Sequence, residues 1–383
     1  MEHWLVSVYC GSNQEESTWS VIREEILGTQ RPLGQAFRFN VPNHFKVGSL
    51  DNLVSLADEI GKLDHHLEGT IKKIERQYSD IEPNSKLKIE NPNPGVQETL
   101  APEIYLANFK WNNSKYPPTK SLAELSSLIE ERLRTMDEDV KNKAAKFQES
   151  RNVVSAFSKK ESGNLITKDL TEVLTSKVCS QNDFVFTENL KTLCVILPRK
   201  DTNKWLETYE FLDEGVVPRS TKQFQVEDKD NLTIWRVVLL AASTDSFTAA
   251  CKSNKWVVRE YCLDPEYISN QQESKEKAKQ SYQHQHNLLS RSCKVSFSEL
   301  YIALVHLKAM RVFVESVLRY SLPPQFYCAC ITPEQGREKK VIDTMIKRFI
   351  NPGENPEMYG TREETEDGED FFPFVFLRVP QFN

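Results

Sequence analysis

The sequence predicts an α+β protein in which helix predominates, an elongated dumbbell whose two globular α/β ends are joined by a long antiparallel helical neck. Three observations carry this expectation. First, Leu53, Leu56, Ile60, Leu63, Leu67, Ile71, Ile74, Tyr78 and Ile81 recur at steps of three and four, an apolar stripe that only a long helix keeps on one side. Second, Leu125, Ile129, Leu133, Met136, Val140, Ala144 and Phe147 form another stripe with an eleven-residue repeat, which favours nearly straight packing over a leucine-zipper supercoil. Third, the stretch 162–265 has the alternating texture of a sheet and returns to helix afterwards. The expected division is 1–161 for one end and the first part of the neck, 162–265 for an inserted α/β head, and 266–383 for the rest of the neck and the same first end.

Taken in order, Trp4 to Tyr9 has strand composition, a helix follows over about 15–27, and Phe37 to Val41 reads as a second strand. The first long stripe then runs until Asn91-Pro92-Asn93-Pro94-Gly95 stops it. Ser121-Leu122-Ala123-Glu124 has the form of a capping box, in which the hydroxyl serves early helix amides and the carboxylate reaches back. From 121 to about 158 that helix would span roughly 55 Å at ~1.5 Å per residue. Inside the inserted module, Thr192 to Leu197, Leu232 to Leu240 and Trp256 to Tyr261 read as strands, and 203–212 and 244–253 as helices. Residues 270–287 are almost wholly polar, as expected of an exposed helix bridging two domains. Ser296-Phe297-Ser298-Glu299 has the form of a second capping box, opening a helix over 297–320. There Leu300, Leu304, Leu307, Met310, Val314, Val317 and Leu318 cover more than one face, so this helix should be central and buried. Pro323-Pro324 ends it, and a helix near 334–350 and a Phe-rich strand over 371–379 close the chain.

Composition narrows the function classes. The 383 residues carry 49 basic and 55 acidic side chains, 39% hydrophobic residues and only 13 glycines. No apolar run approaches the ~20 residues that span a bilayer, and the start, Met1-Glu2-His3-Trp4, lacks a signal-peptide pattern, so the expectation is a cytosolic protein without direct membrane insertion. Residues 351–370 hold eight acidic side chains against Arg362, a local charge of −7 within a net charge of −6, so the rest of the chain sums to +1. That leaves no basic face for nucleic acid. The acidic stretch reads as a solvated loop.

No phosphate-cradling loop, dinucleotide fingerprint, HExxH, GxSxG or EF-hand pattern occurs, so no catalytic, cofactor-binding or metal-binding residue is assigned. Eight cysteines without a CxxC read as reduced thiols. Cys328 and Cys330 would share one face of a strand, yet no neighbouring His or Cys completes a metal set. His65 and His66 diverge on their helix, and His284 and His286 lie in a polar, exposed segment. Asp64 with His65, or Glu315 with Arg319, could be named acid–base pairs; the simpler reading of Glu315 and Arg319 is an ordinary i, i+4 helix pair or a partner contact. Phe371, Phe372, Phe374 and Phe376 are flanked by acid, which suits a core or sheet-edge strand better than base stacking.

Five segments carry a resemblance. Trp4-Leu5-Val6-Ser7-Val8, Lys46-Val47-Gly48-Ser49-Leu50-Asp51, Lys115-Tyr116-Pro117, Val217-Pro218-Arg219-Ser220 and Leu307-Lys308-Ala309-Met310-Arg311-Val312-Phe313-Val314-Glu315-Ser316-Val317-Leu318-Arg319-Tyr320 resemble, in order along the chain, the C-subunit of the vacuolar-type proton-pumping ATPase (V-ATPase). The last segment is the most characteristic. The resemblance implies a head, a helical neck and a foot built from both chain ends. It also implies a non-catalytic, single-copy stalk component without a cofactor, joining peripheral stalks of the E- and G-subunits to the cytosolic part of the membrane a-subunit. Its release would accompany reversible dissociation of the catalytic and membrane sectors on the cytosolic face of vacuolar or other endomembranes, and members have been linked to actin binding. The polar 270–287 stretch and the acidic 351–370 stretch depart from the family pattern. The competing expectation is a hydrolase or nucleotide-binding enzyme sited in the α/β head, or an actin-binding scaffold.

Overall fold

The computed structural model describes residues 2–11, 14–28, 31–42, 45–46, 48–90, 99–174, 178–185, 187–226, 228, 230–261, 265–350, 359–360 and 371–382. The chain packs as two units, one of Met1–Ala144 with Asn287–Asn383 and one of Ala145–His286. The division falls within two long helices. Helix is the dominant element and strands form separate antiparallel sheets, an α+β protein.

In the first unit, β1 (His3–Tyr9), α1 (Glu15–Leu27) and β2 (Gly34–Arg38) are followed by the long α2 (Leu50–Ile81). A two-stranded ribbon, β3 (Ile89–Glu90) with β4 (Thr99–Leu100), and the short α3 (Pro102–Ala107) lead to α4 (Leu122–Ser162). The unit is completed by the end of α8 (Pro265–Tyr320), β9 (Phe326–Pro333), α9 (Glu338–Phe349) and β10 (Val375–Val379). Its sheet has the order β10-β1-β9-β2, so the first and last strands of the chain lie side by side.

Alternation along β1 decides what each face of this sheet meets. Trp4, Val6 and Val8 join Ala329 and Ile331 of β9 against Ile22 and Ile26 of α1 and Val341 and Met345 of α9. On the other face Leu5 is fully buried, and the Ser7 hydroxyl meets that of Ser316 on α8 at 2.7 Å. Cys328 and Cys330 pair opposite Ser7 and Leu5, on that same face.

The three long helices form a second layer. Eight of the nine stripe residues of α2 are buried, with Ile81, its last residue, half-buried. Tyr78 of α2 lies under Lys294 of α8, and Asp64 meets Lys308 and Arg311, so position rises on one helix as it falls on the other and the pair is antiparallel. The contacts Arg132–Glu299 and Asp139–Ser292 set α4 antiparallel to α8 in the same way. The capping box at Ser121 forms as expected: its amide donates to Glu124 Oε2 at 2.8 Å, and the Glu124 amide donates to its hydroxyl at 3.3 Å.

In the second unit, the order β6 (Lys222–Phe224), β7 (Leu232–Leu240), β5 (Leu190–Pro198), β8 (Val257–Glu260) makes another antiparallel sheet. One face packs Leu193, Val195, Trp235 and Val237 against Trp205 of α6 (Thr202–Thr208) and Phe247 of α7 (Thr244–Ser253). The other face packs Cys194, Ile196 and Ile234 against the segment around α5 (Leu170–Val173). Where α4 and α8 enter this unit, the Phe147 and Tyr282 rings lie 5.4 Å apart.

Several expectations shift. No helix begins at Ser296: α8 is continuous from Pro265, and the four residues of the apparent capping box serve other elements. Ser298 Oγ accepts from the Glu90 amide at 2.8 Å, Glu299 pairs with Lys115 and Arg132, and Ser296 and Phe297 are buried. The second strand lies three residues earlier than expected, because Leu33 and Gly34 pair with the end of β9. The last helix starts at Glu338 rather than 334, and the last strand covers only Val375–Val379. His286 is half-buried against Phe147, with ring centroids 6.0 Å apart, rather than exposed. The Asn91 to Gly95 stop and nearly all of the acidic 351–370 stretch lie outside the described residues.

Gly34 marks a close approach. A Cβ there would stand 2.3 Å from the Thr332 carbonyl oxygen and 2.8 Å from Pro333 Cα, both backbone atoms that cannot swing away. Gly34→Ala should therefore destabilise the protein by about 1–3 kcal/mol through overpacking, seen as a lower urea midpoint with unchanged slope.

Candidate functional site

The polar residues of the most characteristic segment, Leu307 to Tyr320, converge within the first unit. Lys308 is buried on α8, where an unpaired ammonium would be costly. Its Nζ donates to Asp64 Oδ2 and Glu68 Oε1 of α2, each at 2.7 Å, and to the Arg378 carbonyl of β10 at 2.8 Å. Arg311, one turn on, donates through Nη1 to the same Asp64 oxygen at 2.8 Å and through Nε to Glu315 at 2.7 Å. Arg319 reaches the Phe372 carbonyl at 2.5 Å, and the Tyr320 hydroxyl donates to the Ser7 carbonyl at 2.8 Å. One helix face thus grips α2, the first strand and the last strand. An open groove of about 950 Å³ runs beside it, lined by Asp64, His65, Arg311, Glu315 and Phe376 among others.

Neither acid–base pair suggested by sequence forms. Asp64 is buried against Lys308 and Arg311 while His65 is exposed, and Glu315 takes Arg311, four residues before it, rather than Arg319. The reason is reach: the Phe372 carbonyl of the incoming chain end competes for Arg319.

The Lys115-Tyr116-Pro117 segment is held by another buried group. His306 Nδ1 lies 2.7 Å from the Ile302 carbonyl, which can only accept, so Nδ1 carries the proton. Its Nε2 then accepts from the Asn112 amide at 3.1 Å. The rings of Phe109, Trp111 and Tyr116 surround it, and Lys115 reaches Glu299. Burial, with a smaller contribution from Lys115, pulls the His306 pKa down to about 4 against the bond to Ile302. In the second unit the Val217 to Ser220 segment is a pinned turn, with Ser220 Oγ accepting from the Val238 amide at 3.1 Å.

Burial raises the thiol pKa of Cys194, Cys251 and Cys330 to about 12, which leaves them protonated and weak as nucleophiles or ligands. Among the described residues no group of three or more His, Cys, Asp or Glu side chains is placed to hold a metal ion, and no helix is long and apolar enough to cross a membrane. Sequence reasoning singled out Asp64 and Glu315 but missed their cationic partners, Lys308 and Arg311 for Asp64 and Arg311 for Glu315. The available signal was a lysine inside the most apolar helix of the chain.

These geometries define an α+β protein whose characteristic residues tie its own elements together. The chain matches the family model for the V-ATPase C-subunit over residues 3–375 and belongs to that family. It is 34% identical to the V-type proton ATPase C-subunit 1 of Xenopus tropicalis and 33% identical to that of Bos taurus, in each case over 99% of this chain and 97% of the relative. It is 31% identical to the V-type proton ATPase C-subunit of Caenorhabditis elegans over 99% of this chain and 96% of the relative. Among solved structures, the cytoplasmic N-terminal domain of the V-ATPase I-subunit, a homolog of the a-subunit, covers 91% of this chain at 13% identity and a TM-score of 0.31, too slight a likeness to carry an argument.

Two outcomes follow from the buried groups. Lys308→Met leaves Asp64 and Glu68 short of a cation and Arg378 short of a donor, and should cost about 3 kcal/mol or more in urea unfolding; an unchanged midpoint would refute the role assigned to Lys308. For His306 the folded pKa lies below the unfolded value of about 6.5, so below that pH the unfolded chain takes up the proton first. Its contribution is complete above pH 6.5 and declines as pH falls towards 4, by about 3 kcal/mol in all. Unfolding curves across that range should lose part of their pH slope in His306→Gln.

Proposed function

We propose that this chain is a non-catalytic peripheral-stalk component of a V-type proton ATPase, linking E–G stalk heterodimers to the cytosolic part of the membrane a-subunit. The observation that carries the reading is the match to the C-subunit family along essentially the whole chain, at both ends and through the middle. In this reading 162–265 is the head, and 1–161 with 266–383 form the neck and foot of an elongated dumbbell present once per complex. Its place is the cytosolic face of vacuolar or other endomembranes.

The physical design supports such a role. A stator must resist sideways force over a distance, and α4 and α8, of 41 and 56 residues, are long continuous helices. The cross-ties from Lys308, Arg311 and Arg319 oppose shear between helix and strand. Two modest attachments, one at each end, hold through effective concentration and release together once either is lost, which suits reversible assembly of the catalytic and membrane sectors.

Cells lacking the chain should fail to acidify their vacuoles, and the catalytic sector should no longer sediment with the membranes; restoring the full chain should restore both. Normal acidification with normal sector association in the deletion would refute the stalk reading.

A further inference from the structure

We draw no further inference here: the strongest candidate, the open groove that α2, α8 and β10 line beside Lys308, belongs to the cluster already described, its five cationic side chains nearly balance its four carboxylates, and nothing among the described residues shows what covers it.

Discussion

The Lys308 ammonium is the constraint around which the first unit is arranged. Three acceptors from two other elements surround it: two carboxylates of α2 and a carbonyl of β10. Apolar stripes specify which sides of two helices meet but allow them to slide by a turn at modest cost. Sliding α2 against α8 by one turn would break up an arrangement in which Lys308 meets Asp64 and Glu68 at once while Asp64 also takes Arg311, leaving fewer charge-assisted hydrogen bonds on buried groups. The ion cluster therefore sets the register of the helix layer and, through Arg378, the position of the last strand on it.

Legibility from sequence followed the range of the forces. Elements decided by local periodicity, such as α2 and the strand from Leu232 to Leu240, could be read directly. The continuity of α8 through Ser296 could not. Its Ser and Glu side chains have the local signature of a helix start, and only distant partners, Glu90, Lys115 and Arg132, show why they sit in mid-helix. The same limit applies to the site. Asp64 and Glu315 were visible as charged residues on apolar helices, but Arg319 turns to Phe372 because a chain end more than fifty residues later lies against it.

The residues by which the chain resembles its family thus serve internal order: Ser7, Lys115, Lys308 and Arg319 each join elements far apart in sequence.

The neighbouring placement of the first and last strands also governs how the protein is made. β1 is synthesised more than three hundred residues before its partners β9 and β10, which begin at Phe326 and Val375. At synthesis rates of about 5–20 residues per second, the apolar β1 waits roughly 15–60 s for either of them. The second unit, contained within Ala145–His286, is complete in that interval and can fold first. Biogenesis of this chain therefore depends on keeping Trp4, Val6 and Val8 from aggregating until β9 and β10 have been made, a natural task for a nascent-chain chaperone.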